Sequence, residues 1–385
     1  MTRKVCVVVT ARPSYSRIRS VLEAVRDHPD LELQLVVAAS ALLDRYGNAQ
    51  KIIEEEGFQI DRRVYMIMEG ENLVTSAKST GFGLAELATV FDNLQPDAVV
   101  TVADRFETLA TAISASYLNI PLVHVQGGEV TGSIDEKVRH AVTKLADLHF
   151  VATEKAAERV IRMGEQPERV FVTGCPSIDV IKRALSSPAI PRARLFDEYG
   201  GVGESLDLSK GYIVVLQHPV TTEHSQSRRH VVETLHAVVN SGLPAIWFWP
   251  NVDAGSDGTS RGIRAFRESH TLPRIHFFKN LPPEDFLRLV NNSLCIVGNS
   301  SVGIRECSHL GVPTVNIGSR QQGRERGANT VDVPYERGAI LAAIQRAVKG
   351  GRCKSDPLYG DGKSGARIAD LLAKAHFNIE KRLSY

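Results

Sequence analysis

The chain has 385 residues, 43% hydrophobic and 23% charged, with a formal net charge of +2 at pH 7. That length admits two or three domains with full cores, and the balanced charge gives no reason to expect nucleic acid or an acidic membrane surface as partner. No apolar run reaches membrane-spanning length, no secretory h-region follows Met1-Thr2-Arg3-Lys4, and five scattered cysteines without a C-x-x-C pair predict reduced thiols in a cytoplasmic protein.

Short β-branched runs alternate with longer helical periods. In chain order they predict a strand over Lys4–Thr10, a helix over Tyr15–Arg26, a strand over Leu31–Ala39 and helices over Leu42–Glu56 and Val74–Leu94. A strand over Ala98–Val102, a helix over Arg105–Leu118 and a strand over Leu122–Val125 follow. Ile134, Val138, Val142 and Leu145 then form the apolar stripe of another helix. Residues 176–211 contain Pro188, Pro191 and Gly200-Gly201-Val202-Gly203, and read as a linker. A second series has strands over Ile213–Leu216, Ala245–Trp249, Ile275–Phe278, Leu294–Val297 and Thr314–Ile317, and a last helix covers about Ala366–Leu383. Cys6 and Cys295 lie inside strand runs as small apolar residues. Near-continuous apolar strands imply parallel sheets covered on both faces. The expected architecture is therefore α/β, with two doubly wound Rossmann-type domains facing a central cleft and ligands at the carboxyl ends of the strands.

The polar residues at those ends carry the chemistry. The first strand ends in Thr10-Ala11-Arg12-Pro13-Ser14-Tyr15-Ser16, with no G-x-G-x-x-G, which argues against a nicotinamide or flavin dinucleotide; no Walker A motif occurs either. Asp104-Arg105 follows the strand Ala98–Val102, where Asp104 is either an N-cap or a carboxylate beside a guanidinium at a ligand site. His124-Val125-Gln126-Gly127-Gly128-Glu129 follows another strand, with two glycines that let backbone approach a ligand closely. Ser133-Ile134-Asp135-Glu136 matches a capping box, and Glu136 is placed to pair with His140. Asp135 in that first turn suits the helix dipole without further duty, yet Asp104, Glu129 and Asp135 together exceed what capping needs.

In the second half, Leu294–Val297 meets a Gly298-Asn299 turn, and Ser300-Ser301 open a helix predicted to run to Gly311. Free N–H groups and hydroxyls at a helix start favour an anion; Glu306, one turn on, can accept from a diol, whereas Ser300 is otherwise only a cap. With Gln217-His218-Pro219, Asn251-Val252-Asp253 and Ser319-Arg320 at other strand ends, the set describes a nucleotide-diphosphate pocket. Arg320 would neutralise phosphate bidentately and His218 would donate to the leaving group. No His/Cys/Asp cluster has metal-ligand spacing and no G-x-S-x-G elbow occurs, so no metal or cofactor is expected.

These stretches resemble one family over nearly the whole length: the hydrolysing UDP-N-acetylglucosamine 2-epimerases of bacterial sialic-acid pathways and of the animal bifunctional epimerase/kinase. The resemblance is carried by Arg12 to Ser16, Leu43-Asp44-Arg45-Tyr46-Gly47-Asn48, Asp104-Arg105-Phe106, Gly127-Gly128-Glu129 through Ala146, and Gly174-Cys175-Pro176-Ser177. It continues in Leu216 to Thr222, Pro250 to Ser256, Gly298-Asn299-Ser300-Ser301 and Tyr359-Gly360-Asp361-Gly362. It implies a GT-B-like pair of Rossmann domains and a homodimer or homotetramer. The domains would be residues 1–185 with the catalytic acids and 186–365 binding UDP, with residues 366–385 returning to the first.

The resemblance also implies a reaction. UDP is eliminated across C1–C2 to give a glycal, then water adds and C2 is reprotonated from the opposite face. C1–O cleavage running ahead gives oxocarbenium character that makes the C2 proton removable, and carboxylates on either face of the ring suit that task. Asp104 and Asp135 match acids of the family. Arg12, Ser16, Arg105, His218, Asn251, Asp253, Ser300, Ser301, Glu306 and Arg320 match its UDP-sugar contacts. One position departs: where some relatives carry a glutamate three residues before the Gly-Gly-Glu glutamate, this chain has Gln126. Either Glu129 takes over, or Gln126 orients substrate, or the activity differs. The alternatives to a UDP-N-acetylglucosamine hydrolase are a 2-epimerase of UDP-2,4-diacetamido-2,4,6-trideoxyglucose, as in the legionaminic acid route, a non-hydrolysing 2-epimerase, a GT-B glycosyltransferase and a nucleotide-sugar sensor.

Overall fold

A computed structural model describes residues 2–384 apart from 45–46, 71–72, 103–104, 132–134, 187–191 and 251–255. The chain divides into two units, one comprising Met1–Glu129, Ile134–Val180 and Tyr359–Tyr385, the other Val130–Ser133 and Ile181–Leu358. The first holds a seven-stranded sheet of β1 (Arg3–Val9), β2 (Leu31–Ala38), β3 (Arg62–Val64), β4 (Ala98–Val102), β5 (Leu122–Val125), β6 (Leu148–Val151) and β7 (Val170–Val172). Its order is β3-β2-β1-β4-β5-β6-β7, parallel throughout. Successive residues of β1 serve opposite faces, as the two-residue period of a strand requires. Val5, Val7 and Val9 pack with Ile18, Val21 and Leu22 of the helix Arg12–Asp27, whereas Cys6 and Val8 pack with Leu87 and Phe91 of the helix Leu73–Leu94. Both faces are thus covered, and the strand needs no polar alternation.

The second unit holds β8 (Ile213–Leu216), β9 (Ala245–Phe248), β10 (Ile275–Phe278), β11 (Cys295–Gly298), β12 (Thr314–Ile317) and β13 (Thr330–Val333). They form a parallel sheet in the order β10-β9-β8-β11-β12-β13. Ile213, Val215, Trp247, Val297 and Val315 pack there with the helices Ser227–Ser241, Ser256–Ser269 and Arg337–Gly350. Each unit is a Rossmann-like α/β layer structure. Cys6 and Cys295 are fully buried, and burial pushes both thiols up, Cys295 to about 12. Among the described residues no helix is long and apolar enough to cross a membrane.

Beyond the strands β3, β6, β7 and β13, which were not predicted, the structure redraws four of the predicted stretches. Within Leu42–Glu56 the α-helix is Ala49–Glu55: Gly47 and Asn48 take left-handed backbone just before it, the Asn48 side chain caps it on the Lys51 N–H, and Leu42 ends a separate 3-10 turn, Ala39–Leu42. The stretch 176–211 contains helices over Pro176–Leu185 and Arg192–Tyr199, and Val202 bridges to Phe277; Pro188 and Pro191 lie outside the described residues. Ser300–Gly311 forms two short helices, Ser301–Ile304 and Glu306–Leu310, with Arg305 at φ −93° and ψ −67° between them. The Gly303 carbonyl accepts from the Thr314 hydroxyl (2.9 Å) and the Asn329 amide (3.2 Å), and these bonds draw the first turn off the helix path.

The last helix is Ser364–Lys374, packed against Arg12–Asp27 through Ile368, Ala369 and Leu372. Beyond it, Phe377 lies under the Arg3 guanidinium and Lys381 reaches the buried Glu165, 2.6 Å away. The Ser384 N–H donates to the Gly164 carbonyl at 3.0 Å. These contacts stabilise an extended tail where periodicity alone continues the helix.

Candidate active site

In each sheet the chain leaves in opposite directions from two adjacent strands, β1 and β4 in one and β8 and β11 in the other. Ligands of doubly wound folds bind outside such strand ends, and Arg12, Ser16, Arg105, His218, Ser300 and Ser301 stand there.

In the amino-terminal unit Arg12 begins the helix after β1. Burial pulls its guanidinium down to about 10, so it remains a partly desolvated cation at neutral pH, a state that favours an anionic partner. The Ser16 hydroxyl donates to the Arg12 carbonyl at 3.3 Å. Arg105, just after β4, has Nε 3.3 Å from the fully buried Glu107 carboxylate, so it sits at the strand end in an ion pair with its neighbour. Asp104 lies outside the described residues, as does the Ser133-Ile134 half of the capping box.

The turn after β5 carries Gln126 and Glu129, both buried. Gln126 takes φ +68°, rare for a residue with a side chain, and its Nε2 donates to Cys175 Sγ at 2.9 Å. Cys175 Sγ is in turn 3.0 Å from Ser177 Oγ. Gly128 is at φ +72°, and a Cβ there would lie 2.2 Å from the Ala156 carbonyl oxygen. The glycine is required by the protein's own packing, which corrects the expectation that it makes room for a ligand. Gly128→Ala combines left-handed strain with a backbone collision, and an expected loss of about 2–4 kcal/mol is readable from urea unfolding.

Two guanidiniums hold the carbonyls of this turn. Arg159 donates to the Gly128 oxygen at 3.2 Å and the fully buried Arg139 to the Glu129 oxygen at 2.8 Å. Arg139 also pairs with Glu136 at 3.0 Å, and Glu136 meets His140 at 3.0 Å, the pair read from their spacing. Asp135 is the first residue of the same helix, Asp135–Leu145. Strained backbone persists only where the surroundings over-determine it, and it collects at functional sites. Glu129 therefore stands on a turn fixed from several sides.

In the carboxyl-terminal unit the organising residue is Asn299, fully buried after β11. Its Oδ1 accepts from the His218 N–H at 2.7 Å and its Nδ2 donates to the His218 carbonyl at 2.8 Å, as a neighbouring strand would. Its own carbonyl accepts from Arg320 (3.2 Å) and from Gln321 Nε2 (2.9 Å). His218, Ser300 and Arg320 are thus gathered around one amide. Ser300 is the cap of a single helical turn, its hydroxyl oxygen accepting from the Val302 N–H at 3.4 Å. With so short a helix, anion binding here draws on individual N–H and O–H donors and little on a macrodipole. Glu306 is 9% exposed, and its Oε2 is buried with no hydrogen-bond partner among the described residues. Asn251 and Asp253 lie outside the described residues.

The holding roles of Asn299 and Arg139 were not singled out by sequence reasoning. Asn299 left a signal, an amide residue between a strand-end glycine and Ser300. Arg139 left none, since the Glu129 carbonyl it holds comes from the preceding turn. Among the described residues no three His, Cys, Asp or Glu side chains group as metal ligands.

Two parallel Rossmann-like units with polar residues at their strand ends define a doubly wound α/β protein, and comparison with known proteins places it further. Residues 23–373 match the family model for UDP-N-acetylglucosamine 2-epimerase. A UDP-N,N'-diacetylbacillosamine 2-epimerase (hydrolyzing) of Legionella pneumophila is 34% identical over 372 residues, 97% of this chain and 96% of that one. A UDP-N-acetylglucosamine 2-epimerase of Neisseria meningitidis is 30% identical, covering 97% and 95%. The Escherichia coli polysialic acid biosynthesis protein P7 is 34% identical, covering 89% and 85%. The fold matches a crystal structure of the Neisseria meningitidis UDP-GlcNAc 2-epimerase bound to UDP-GlcNAc, with a TM-score of 0.82 at 17% identity, over 97% of this chain and 100% of that one. The chain belongs to the UDP-N-acetylglucosamine 2-epimerase family of enzymes, and its fold is GT-B-like.

Proposed function

We propose that the protein is a hydrolysing 2-epimerase that converts a UDP-2-acetamido sugar and water into UDP and the free sugar inverted at C2. The observation that carries this reading is the gathering of His218, Ser300 and Arg320 around Asn299, with the buried Glu306 carboxylate a few residues on. Cationic and hydroxyl donors suit a diphosphate, and a buried carboxylate oxygen without a protein partner suits the ribose diol. Asn251, Asp253, Ser301, Arg12, Ser16 and Arg105 are assigned to the same substrate.

In this reading Arg320 and His218 stabilise the charge that develops on UDP as the C1–O bond breaks and the bonding pair leaves with phosphate. A carboxylate among Asp104, Glu129 and Asp135 takes the C2 proton, giving the glycal. Water then adds at C1, and a protonated acid returns a proton to C2 from the other face. Gln126 has no carboxylate and lies against Cys175, so it orients the turn and Glu129 stands as its acid. The simplest substrate is UDP-N-acetylglucosamine, yielding N-acetylmannosamine for sialic-acid-type sugars. The Legionella relative favours a second reading, a UDP-2,4-diacetamido-2,4,6-trideoxy sugar. A homodimer or homotetramer in the cytoplasm completes the proposal.

Each nucleotide sugar, incubated separately with enzyme, tests the assignment. Stoichiometric UDP with an inverted free sugar from either one supports it. A UDP-sugar epimer without free UDP would indicate the non-hydrolysing reaction, and binding without turnover a sensor. Arg320→Ala is expected to weaken UDP binding about 10–100-fold in titration calorimetry, the worth of a charged hydrogen bond. Unchanged affinity would remove Arg320 from the site.

A further inference from the structure

Among the described residues the most exposed large apolar side chains are Tyr117, Tyr65, Val74 and Phe82, and all belong to neighbouring elements of the amino-terminal unit. Val74 and Phe82 lie on the helix Leu73–Leu94. Tyr65 follows the edge strand β3 and precedes Met66, whose Cε stands 2.4 Å from where a Cβ on Gly83 of that helix would fall. Tyr117 ends the helix Phe106–Tyr117, one turn beyond Ser114, whose hydroxyl donates to the Leu84 carbonyl at 3.1 Å. Exposed apolar groups gathered in this way mark an interaction surface.

The pattern along Leu73–Leu94 says what covers it. Residues four apart form rows on a helix. One exposed row reads Val74, Lys78, Phe82, Glu86, and the row beside it reads Ala77, Gly81, Ala85. A tall row therefore runs beside a shallow one. Gly81 has no reason within the chain: a Cβ there would meet nothing within 4 Å, and its φ is not left-handed. Glycine inside a helix is costly relative to alanine, so a partner that needs the room accounts for it. Lys78 and Glu86 stand one turn to either side of Phe82, both exposed and neither in an ion pair among the described residues.

We propose that this face pairs with the same face of a second copy, the two Leu73–Leu94 helices crossing antiparallel about a two-fold axis between Gly81 and Phe82. The tall row of each copy then fills the shallow row of the other, with Phe82 seated over Gly81. Lys78 of each copy meets Glu86 of the other. A parallel pairing would set Lys78 against Lys78, so the charges select the antiparallel one. Tyr65 and Tyr117 extend the apolar area beyond what one helix pair supplies. This deepens the homo-oligomer of the proposed function and rests on it.

The test is sedimentation velocity of the full chain over a concentration series, with circular dichroism to establish that each variant is folded. Wild type is expected to associate as a dimer, or as a tetramer built from such dimers. Phe82→Glu places a charge at the centre of the pairing in both copies and should raise the dissociation constant of that step at least about 100-fold. Lys78→Glu and Glu86→Lys each set like charges together twice and should raise it about 3–10-fold at low salt. The double variant Lys78→Glu/Glu86→Lys restores opposite charges and should assemble close to wild type. A folded Phe82→Glu variant that assembles like wild type, or a double variant no better than the single ones, overturns the proposal and leaves the homo-oligomer to another face. A wild type that is monomeric at every concentration overturns the homo-oligomer itself, and this pairing with it.

Discussion

Replacing Asp135 by Asn, or Glu129 by Gln, is expected to lower turnover of a UDP-2-acetamido sugar by about 10²–10⁴-fold while leaving affinity for UDP nearly unchanged. Both residues stand on backbone that has anchors of its own. Glu129 is held through its carbonyl by Arg139, and Asp135 begins the helix that supplies Arg139 and Glu136. An amide in place of the acid keeps shape and volume but cannot carry a proton to or from C2. The UDP contacts of the proposal are chemically separate, being donors for phosphate and an acceptor for ribose. Single-turnover kinetics with calorimetric UDP binding on the same preparations checks the split. Parallel loss of UDP affinity would show that these acids support the fold of the site and leave its chemistry to other groups.

The second large effect is on stability. Glu165 has a side chain only 4% exposed and gathers Lys144, His149 at 3.0 Å and Lys381 at 2.6 Å. Burial by itself would raise this carboxyl; hydrogen bonds from His149, Lys144 and Lys381 outweigh it and hold the group down at about 2. Because the folded value is depressed below the ordinary 4.5, the stabilisation is fully present above about pH 4.5 and is lost as pH falls toward 2. Its size is on the order of 3 kcal/mol. Glu165→Gln leaves two partly buried ammonium groups without their counter-charge and is expected to cost about 3–5 kcal/mol at pH 7. The variant should also lose much of the acid sensitivity between pH 4.5 and 2. Urea unfolding across that range checks both, and a variant within about 0.5 kcal/mol of wild type at pH 7 would contradict the account.

Much of the architecture was legible because fully buried parallel strands read as unbroken apolar runs. Val5 to Val9 and Ile213 to Leu216 face protein on both sides and carry that signal strongly. The strands β3 and β7 are three-residue edges, one of them Arg62-Arg63-Val64, and β13 includes the exposed Val331 and Asp332, so their sequences show little burial. In β6 the buried His149 is there for Glu165, a partner invisible along the chain. Helix ends failed where tertiary contacts decided them, as at Gly303 between Thr314 and Asn329 and in the tail held by Lys381. In the site, the residue types were legible because each strand end offers few polar groups. What joins them was not, since Asn299 reaches His218 across 81 positions.

The most direct test of the central claim is proton NMR of the purified protein in D2O with UDP-N-acetylglucosamine and, separately, the 2,4-diacetamido analogue, with neither metal nor acceptor added. The account predicts a free sugar inverted and deuterated at C2, with UDP released in equal amount, from at least one of them. Release of UDP with C2 configuration retained and no deuterium incorporated, or no turnover of either nucleotide sugar, would contradict it.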